Sequence, residues 1–327
     1  MRLARRSFLH LAASSAAVPA LMRTALAGDY PTRSINFLVG FPPGTAPDTV
    51  ARVVSEALAE RLDQQFVVEN RPGAAGNIAT GFVAAANPDG YTLILLLSTN
   101  AVNATLYKDL NFNFPRDVVP IGMIGPNTFV LVVTPSLPTK TLSDFIAYAK
   151  AKPSRLFMAS QGVGTTPHVC GELLRMMTGI NFVHVPYNGT LMPDLLAGRV
   201  QFYFCPTPLA IPYLKDGRLR ALGLTGRTRL AALPDVPTIG EFVSGYEADG
   251  WVGVGGPRGT PTEVVERLNG ELAAIDADPE IKARLLALGI AAKPMTPAEF
   301  ETFVAADIKK WSKVIEFANI KPGGSDG

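Results

Sequence analysis

The residues with chemical potential in this chain are few, and their spacing argues against bond-making chemistry. Beyond the first 27 positions there are two histidines, His168 and His184, and two cysteines, Cys170 and Cys205. His168-Val169-Cys170 suggests a Cys/His pair, but positions two apart on a helix point about 200° from one another. His184 lies in an apolar run and reads as a satisfied core histidine. No H-E-x-x-H, paired C-x-x-C or EF-hand loop is present, so no metal or cofactor site is expected. Gly162-Val163-Gly164-Thr165 lacks the lysine of a phosphate loop, and no G-x-S-x-G elbow occurs. What remains is a set of uncharged donors: Ser98, Thr99, Asn100, Thr165, Thr166 and Tyr187, with the backbone N–H groups of glycine-rich turns. Such groups grip a carboxylate reversibly, and each helix start adds about 0.3–1 kcal/mol toward a negative charge.

These donors need elements to carry them. Ile35–Val39 reads as a short buried strand feeding the turn Gly40-Phe41-Pro42-Pro43-Gly44-Thr45-Ala46-Pro47-Asp48. After it, Val50, Val53, Val54, Ala57, Leu58 and Leu62 fall at helical spacing, with Asp48 expected to cap that helix. Strand Phe66–Glu69 leads to a second glycine loop, 70–77, and a helix from Ile78. Strand Tyr91–Leu97 stops at the polar triplet Ser98-Thr99-Asn100. Ile121–Ile124 and Val130–Val133 look like a crossing between lobes. A fresh series follows: Thr141 opening a helix, strand Phe157–Ser160, and the turn 161–168 starting a helix. Phe182–Val185, Phe202–Phe204 and Leu219–Leu224 are further strands, and Ala248–Val254 returns to the first lobe. Thr260-Pro261-Thr262-Glu263 and Thr296-Pro297-Ala298-Glu299 each read as a capped helix start. No short repeats are apparent. Strands alternating with helices imply α/β lobes with parallel sheets flanked by helices, and about 300 residues favour two.

Composition narrows the setting. Arg5-Arg6-Ser7-Phe8-Leu9, an apolar segment from Leu11 to Leu21 and Ala25-Leu26-Ala27 read as a cleaved twin-arginine export signal over residues 1–27. Its four arginines account for the positive balance: without them the formal net charge of +2 becomes −2. No basic patch remains for nucleic acid, and no later segment is long and apolar enough to span a bilayer. Cys170 and Cys205 read as small buried hydrophobes rather than a disulfide.

An ordered set of motifs runs along nearly all of the remaining chain. It comprises Phe41-x-x-Gly44-x-x-x-Asp48-x-x-Ala51-Arg52, Val68-Glu69-Asn70-Arg71-Pro72-Gly73-Ala74-x-Gly76 and Pro88-Asp89-Gly90-Tyr91. Farther on come Gly162-x-Gly164-Thr165-x-x-His168, Val185-Pro186-Tyr187-x-Gly189 and Leu233-Pro234-Asp235-Val236-Pro237-Thr238. In these the sequence resembles the Bug family, the extracytoplasmic solute receptors of tripartite tricarboxylate transporters. The resemblance implies a monomeric, non-enzymatic periplasmic binding protein of the type II Venus-flytrap fold, each lobe a mostly parallel sheet flanked by helices. Lobe 1 would be 28–128 with 246–327, and lobe 2 129–245. It implies a small organic acid held by Phe41, Gly44, Thr45, Ala46, Asp48 and Ala74, with Ser98 and Thr99, and delivered to a membrane permease. The opposite lobe would contribute Ser160, Gly164, Thr165, His168, Tyr187 and the segment Cys205-Pro206-Thr207. Thr45, Ala75, Asn188 and Cys205 depart from the family pattern, which points to a less charged acid, aromatic or keto. An exported enzyme on the same scaffold and a ligand sensor for a membrane kinase stay open as alternatives.

Overall fold

A computed structural model describes residues 30–151, 156–187 and 189–323. The expected export signal lies outside the described residues. Strands β1 (Ile35–Val39), β2 (Phe66–Asn70), β3 (Thr92–Leu97), β4 (Val118–Asn127) and β10 (Gly250–Pro257) form one sheet, ordered β2-β1-β3-β10-β4. Strands β5 (Phe129–Val133), β6 (Phe157–Ser160), β7 (Val183–Pro186), β8 (Phe202–Pro206) and β9 (Arg220–Leu224) form the other, ordered β7-β6-β8-β5-β9.

The two sheets share one plan. In each, three strands run parallel, because a helical crossover returns the chain to the same end. The fourth, β10 or β5, arrives from the other sheet and lies antiparallel to both neighbours. Both sheets are therefore mixed.

Helices follow the parallel strands directly: α1 (Ala46–Leu62) after β1, α2 (Asn77–Ala84) after β2 and α3 (Ser98–Leu106) after β3. A short α4 (Phe114–Asp117) precedes β4, and α5 (Leu142–Ala151) precedes β6. In the second sheet α6 (Thr166–Thr178), α7 (Met192–Leu196) and α8 (Thr207–Lys215) follow β6, β7 and β8. The C-terminal part holds α9 (Thr262–Ala277), α10 (Pro279–Ala287) and α11 (Pro297–Ala318). In α1 the periodic residues Val50, Val54, Ala57 and Leu58 are buried against β1, as the spacing predicts.

Helix α11 packs on α3 and β4 of the first sheet and on α6 of the second. Its residues Phe300, Val304, Trp311 and Ile315 are buried, with Phe303 partly buried against the same cluster. The indoles of Trp251 and Trp311 both donate to Oδ2 of buried Asp307, at 2.8 and 3.0 Å. One apolar cluster runs without a break from Leu96, Ala101 and Val102 to Val169, Cys170 and Phe204, so the lobes share a core.

The chain crosses between sheets at Asn127–Phe129 and again between β9 and β10. Half-buried Asp249 ties the two crossings together: Oδ2 accepts from the Thr128 hydroxyl at 3.0 Å and Oδ1 from the Thr225 hydroxyl at 2.7 Å. Burial raises its carboxyl pKa, opposed by those two hydrogen bonds.

Several local expectations change. Ser98-Thr99-Asn100 is the first turn of α3, not the end of a strand; the Asn100 side chain accepts from the Leu97 N–H at 2.8 Å and so supports the start. The Thr260 hydroxyl donates to Pro257 O, leaving α9 to begin at Thr262, whereas the Thr296–Glu299 capping box forms as expected. Cys170 and Cys205 are free thiols, buried in separate clusters.

Candidate functional site

Parallel strands end together, so the loops after β1, β2 and β3 form one rim, and those after β6, β7 and β8 another. Within the first rim the loops are interlocked. Asn70 Nδ2 donates to Phe41 O and to Asp48 Oδ1, both at 2.9 Å. A Cβ at Gly40 would lie 2.7 Å from the Gly76 Cα, so the first two loops touch through backbone. Asn103 of α3 donates to Ala75 O at 2.9 Å, fixing the second loop to the third helix.

The rims then meet. Ser98 Oγ and Thr166 Oγ1, both buried, are 2.9 Å apart, joining the first residue of α3 to the first residue of α6. Gly164 is packed on α3 as well: a Cβ there would lie 2.6 Å from Leu106 Cδ2. Thr207 Oγ1 donates to Thr128 O at 2.7 Å, seating the start of α8 beside the crossing. A crevice between the carboxyl ends of two sheets, with helix starts on both sides, suits an anion.

The same turn is built twice. Gly44-Thr45-Ala46-Pro47-Asp48 opens α1 and Gly164-Thr165-Thr166-Pro167-His168 opens α6. The glycines have φ of 77° and 78°, a left-handed conformation that explains their identity. Thr45 (φ −79°, ψ 164°) and Thr165 (φ −70°, ψ 157°) are the N-caps. Their hydroxyls donate backwards to Pro42 O at 2.7 Å and Gly162 O at 2.8 Å. Pro47 and Pro167 lack an N–H where the helix has no use for one. The repeat corrects the expectation of none, and the shared Gly-Thr-x-Pro spacing made it legible.

Asp48 is not the N-cap but the third helical residue. Its carboxylate accepts from the Gly44 N–H at 2.9 Å, from Arg52 at 3.0 and 3.1 Å, and from Asn70. With the Arg52 guanidinium beside it, and Gly44 and Asn70 adding to the effect, its pKa is held down at about 2. Those bonds occupy the carboxylate, which holds the turn.

His168 takes the equivalent place in the second lobe. Its Nδ1 accepts from the Gly164 N–H at 3.1 Å, so the proton sits on Nε2. The ring stacks on His184, centroids 3.7 Å apart and planes 7° from parallel. His184 Nε2 lies 2.6 Å from Ser160 Oγ, which accepts from the Gly162 N–H at 3.1 Å. Burial holds His168 down at about 3, helped by His184 and Arg175, and His184 at about 4, helped by Arg175. Both rings are neutral near pH 7. Neither thiol joins them: Cys170 donates to Ala248 O, and Cys205 is fully buried on β8 in a separate apolar cluster.

Among the expected contact residues, Gly44, Ala46 and Ala74 are exposed and Phe41, Thr45, Thr165 and Pro206 half-buried. Ser98, Thr99, Ser160, Gly164 and Thr207 are buried, Ser98 and Gly164 where the rims meet. Tyr187 sits beside Ser160 through its N–H, but its hydroxyl is taken by Asp194 Oδ2 at 2.8 Å. The Cys205 side chain does not reach the crevice. Sequence reasoning took His184 as a core histidine without linking it to this turn, and missed Asn103 and Asp249; of those two only Asn103 left a trace, as a polar residue on the buried face of α3.

A family model described as the tripartite tricarboxylate transporter family receptor matches residues 50–320. The chain is 33% identical over 302 residues to the protein BugT of Bordetella pertussis, covering 90% of this chain and 92% of that one. Among solved structures it is similar to Rpa4515 of R. palustris with adipate, at 36% identity and a TM-score of 0.79, covering 90% of this chain and 100% of that one. MatC of Rhodopseudomonas palustris with bound malate shares 28% identity, with a TM-score of 0.75, covering 88% and 100%.

Proposed function

The chain belongs to the tripartite tricarboxylate transporter receptor family, and from that premise we propose that it captures a small organic acid between its two lobes and passes it to a membrane permease of that transporter type. The family consists of solute-binding receptors, not enzymes. We take residues 28–128 with 246–327 as one lobe and 129–245 as the other, acting in the periplasm after removal of the leader near Ala27. No helix among the described residues is long and apolar enough to cross a membrane.

The observation that carries this reading is the meeting of the rims at Ser98 and Thr166, 2.9 Å apart. We take the starts of α1, α3 and α6 to surround one crevice, with neutral side chains and backbone N–H groups as its donors. Gly44, Thr45, Ala46 and Ala74 on one side, and Thr165 with Ser160 on the other, are the contacts we assign. The acids in the two similar structures, adipate and malate, support a carboxylate as ligand. The departures at Asn188 and Cys205, uncharged where the family pattern often has a lysine and an acid or amide, favour a ligand with little charge beyond its carboxylate.

A thermal-shift screen of the purified protein over mono-, di- and tricarboxylates tests the reading, since a ligand that binds the folded state alone raises the melting temperature. A rise of several degrees with one class supports it. No shift with any acid, alongside tight binding of an uncharged sugar or a cationic amine, defeats it.

A further inference from the structure

The second turn copies the first but hangs from a different kind of group. Gly44 N–H is met by a carboxylate, Asp48, and Gly164 N–H by an imidazole nitrogen, His168 Nδ1. An imidazole nitrogen accepts only while the ring is neutral; a proton on Nδ1 would set donor against donor. The other end of the turn depends on the same pair of rings, because His184 stacks on His168 and reaches Ser160, which in turn accepts from the Gly162 N–H.

The groups around the pair leave a charge on His168 little support. On its own helix Glu172 Oε1 is 3.8 Å from Nε2, but its Oε2 is engaged by Arg175 at 3.2 Å. From β7 comes His184, and from the segment after α11 comes Lys321, which lines the same cavity of about 440 Å³. Helix α3, which covers Gly164 through Leu106, carries no ionisable residue. The turn held by His168 is thus also a face on which the lobes close.

We propose that His168 is a positioning residue for ligand capture: as a neutral acceptor it holds the Gly162–Thr165 turn in the shape that closes on the ligand, and protonation lets that turn go. Lobe 2 then loosens in acid while lobe 1, held by Asp48, keeps its shape. The inference rests on the carboxylate reading of the crevice. Its sign follows from linkage: the held turn favours the neutral ring and keeps it down at about 3, whereas a released turn frees the ring to titrate near the ordinary 6.5, so the contribution is complete above 6.5 and is lost as pH falls toward 3.

The test is calorimetric titration at pH 7.5, 6.5 and 5.5 with adipate, and with any other acid that raises the melting temperature, on wild type, His168→Asn and His168→Leu. Wild-type Kd is expected to rise about five- to tenfold from pH 7.5 to 5.5, near the limit for one linked proton. The Asn variant, whose Oδ1 accepts the same N–H without titrating, should bind within about threefold of wild type at pH 7.5 and show less than half of that pH dependence on a logarithmic scale. The Leu variant should bind about five- to thirtyfold more weakly at pH 7.5. An Asn variant with the wild-type pH slope, or a Leu variant with the wild-type Kd, overturns the proposal. If no acid binds at any pH, the crevice reading fails, and hydrogen exchange of the Gly164 amide in the free protein still decides the role of His168. Protection lost in acid by wild type and kept by the Asn variant supports it; equal protection in both overturns it.

Discussion

The hydroxyls of Ser98 and Thr166 lie 2.9 Å apart, each on the first residue of a helix and each helix following a different sheet. Both residues are buried, so neither hydroxyl has ready recourse to water if the other is removed.

Ser98→Ala and Thr166→Val should therefore each weaken ligand binding. A buried hydroxyl left unpaired costs about 1–3 kcal/mol, whereas removing both partners costs less than the sum. Titrations of the two single variants and the double should give a favourable coupling near 1 kcal/mol, about fivefold in Kd. Additive losses would show that the two residues do not act together in the closed form.

Asp48→Asn is expected to lower stability by about 1–2 kcal/mol at pH 7, discounted because Arg52 is half-exposed. The Asp48 carboxyl is held at about 2. Its contribution is thus present above the ordinary carboxylate value near 4 and fades as pH falls toward 2. Urea unfolding at pH 7 and at pH 2.5 should show a gap between wild type and variant that narrows in acid.

Asp276 on α9 works in the opposite sense. Both of its oxygens are buried without a hydrogen-bond partner, and burial pushes its carboxyl up to about 7, only partly offset by Lys282. The neutral form suits the fold, so the favourable state is complete below the ordinary value near 4, and a penalty builds as pH rises to 7 and beyond. Asp276→Asn should stabilise the protein by about 1–3 kcal/mol at pH 8 and by little at pH 4. Melting temperatures across that range check it.

Ala74 and Ala75 both sit at positive φ, 46° and 54°, in the second loop. A left-handed alanine costs about 1–2 kcal/mol, part of which glycine gives back through a freer unfolded chain. Ala75→Gly should raise stability by about 0.5–1 kcal/mol while preserving the bond from Asn103, which goes to a backbone carbonyl. Chemical denaturation of the variant reads the change directly.

Much of this arrangement was legible in the sequence because the strands are apolar runs and the turns are marked by glycine and proline. The helix spacing of Val50, Val54 and Leu58 marked α1 and the face it buries. Helix α3 was hidden: its first turn is Ser98-Thr99-Asn100, residues that favour loops when isolated and gain a helix only when tertiary partners satisfy them. The fit of His168 on His184 and of Asp249 on Thr128 and Thr225 joins residues far apart in the chain. No local pattern encodes such pairings. Asp48 was expected to cap its helix and His168 to face the ligand, whereas both side chains accept from the glycine amides of their own turns, a geometry that spacing alone does not reveal.

The chain has two tryptophans, Trp251 and Trp311, and both indoles converge on Asp307 beneath a helix that touches both sheets. Any change in the angle between the sheets must be felt where α11 bears on α6. Tryptophan fluorescence therefore comes from a single spot beneath α11, and the unlabelled protein carries an optical probe at the helix that bridges its two sheets.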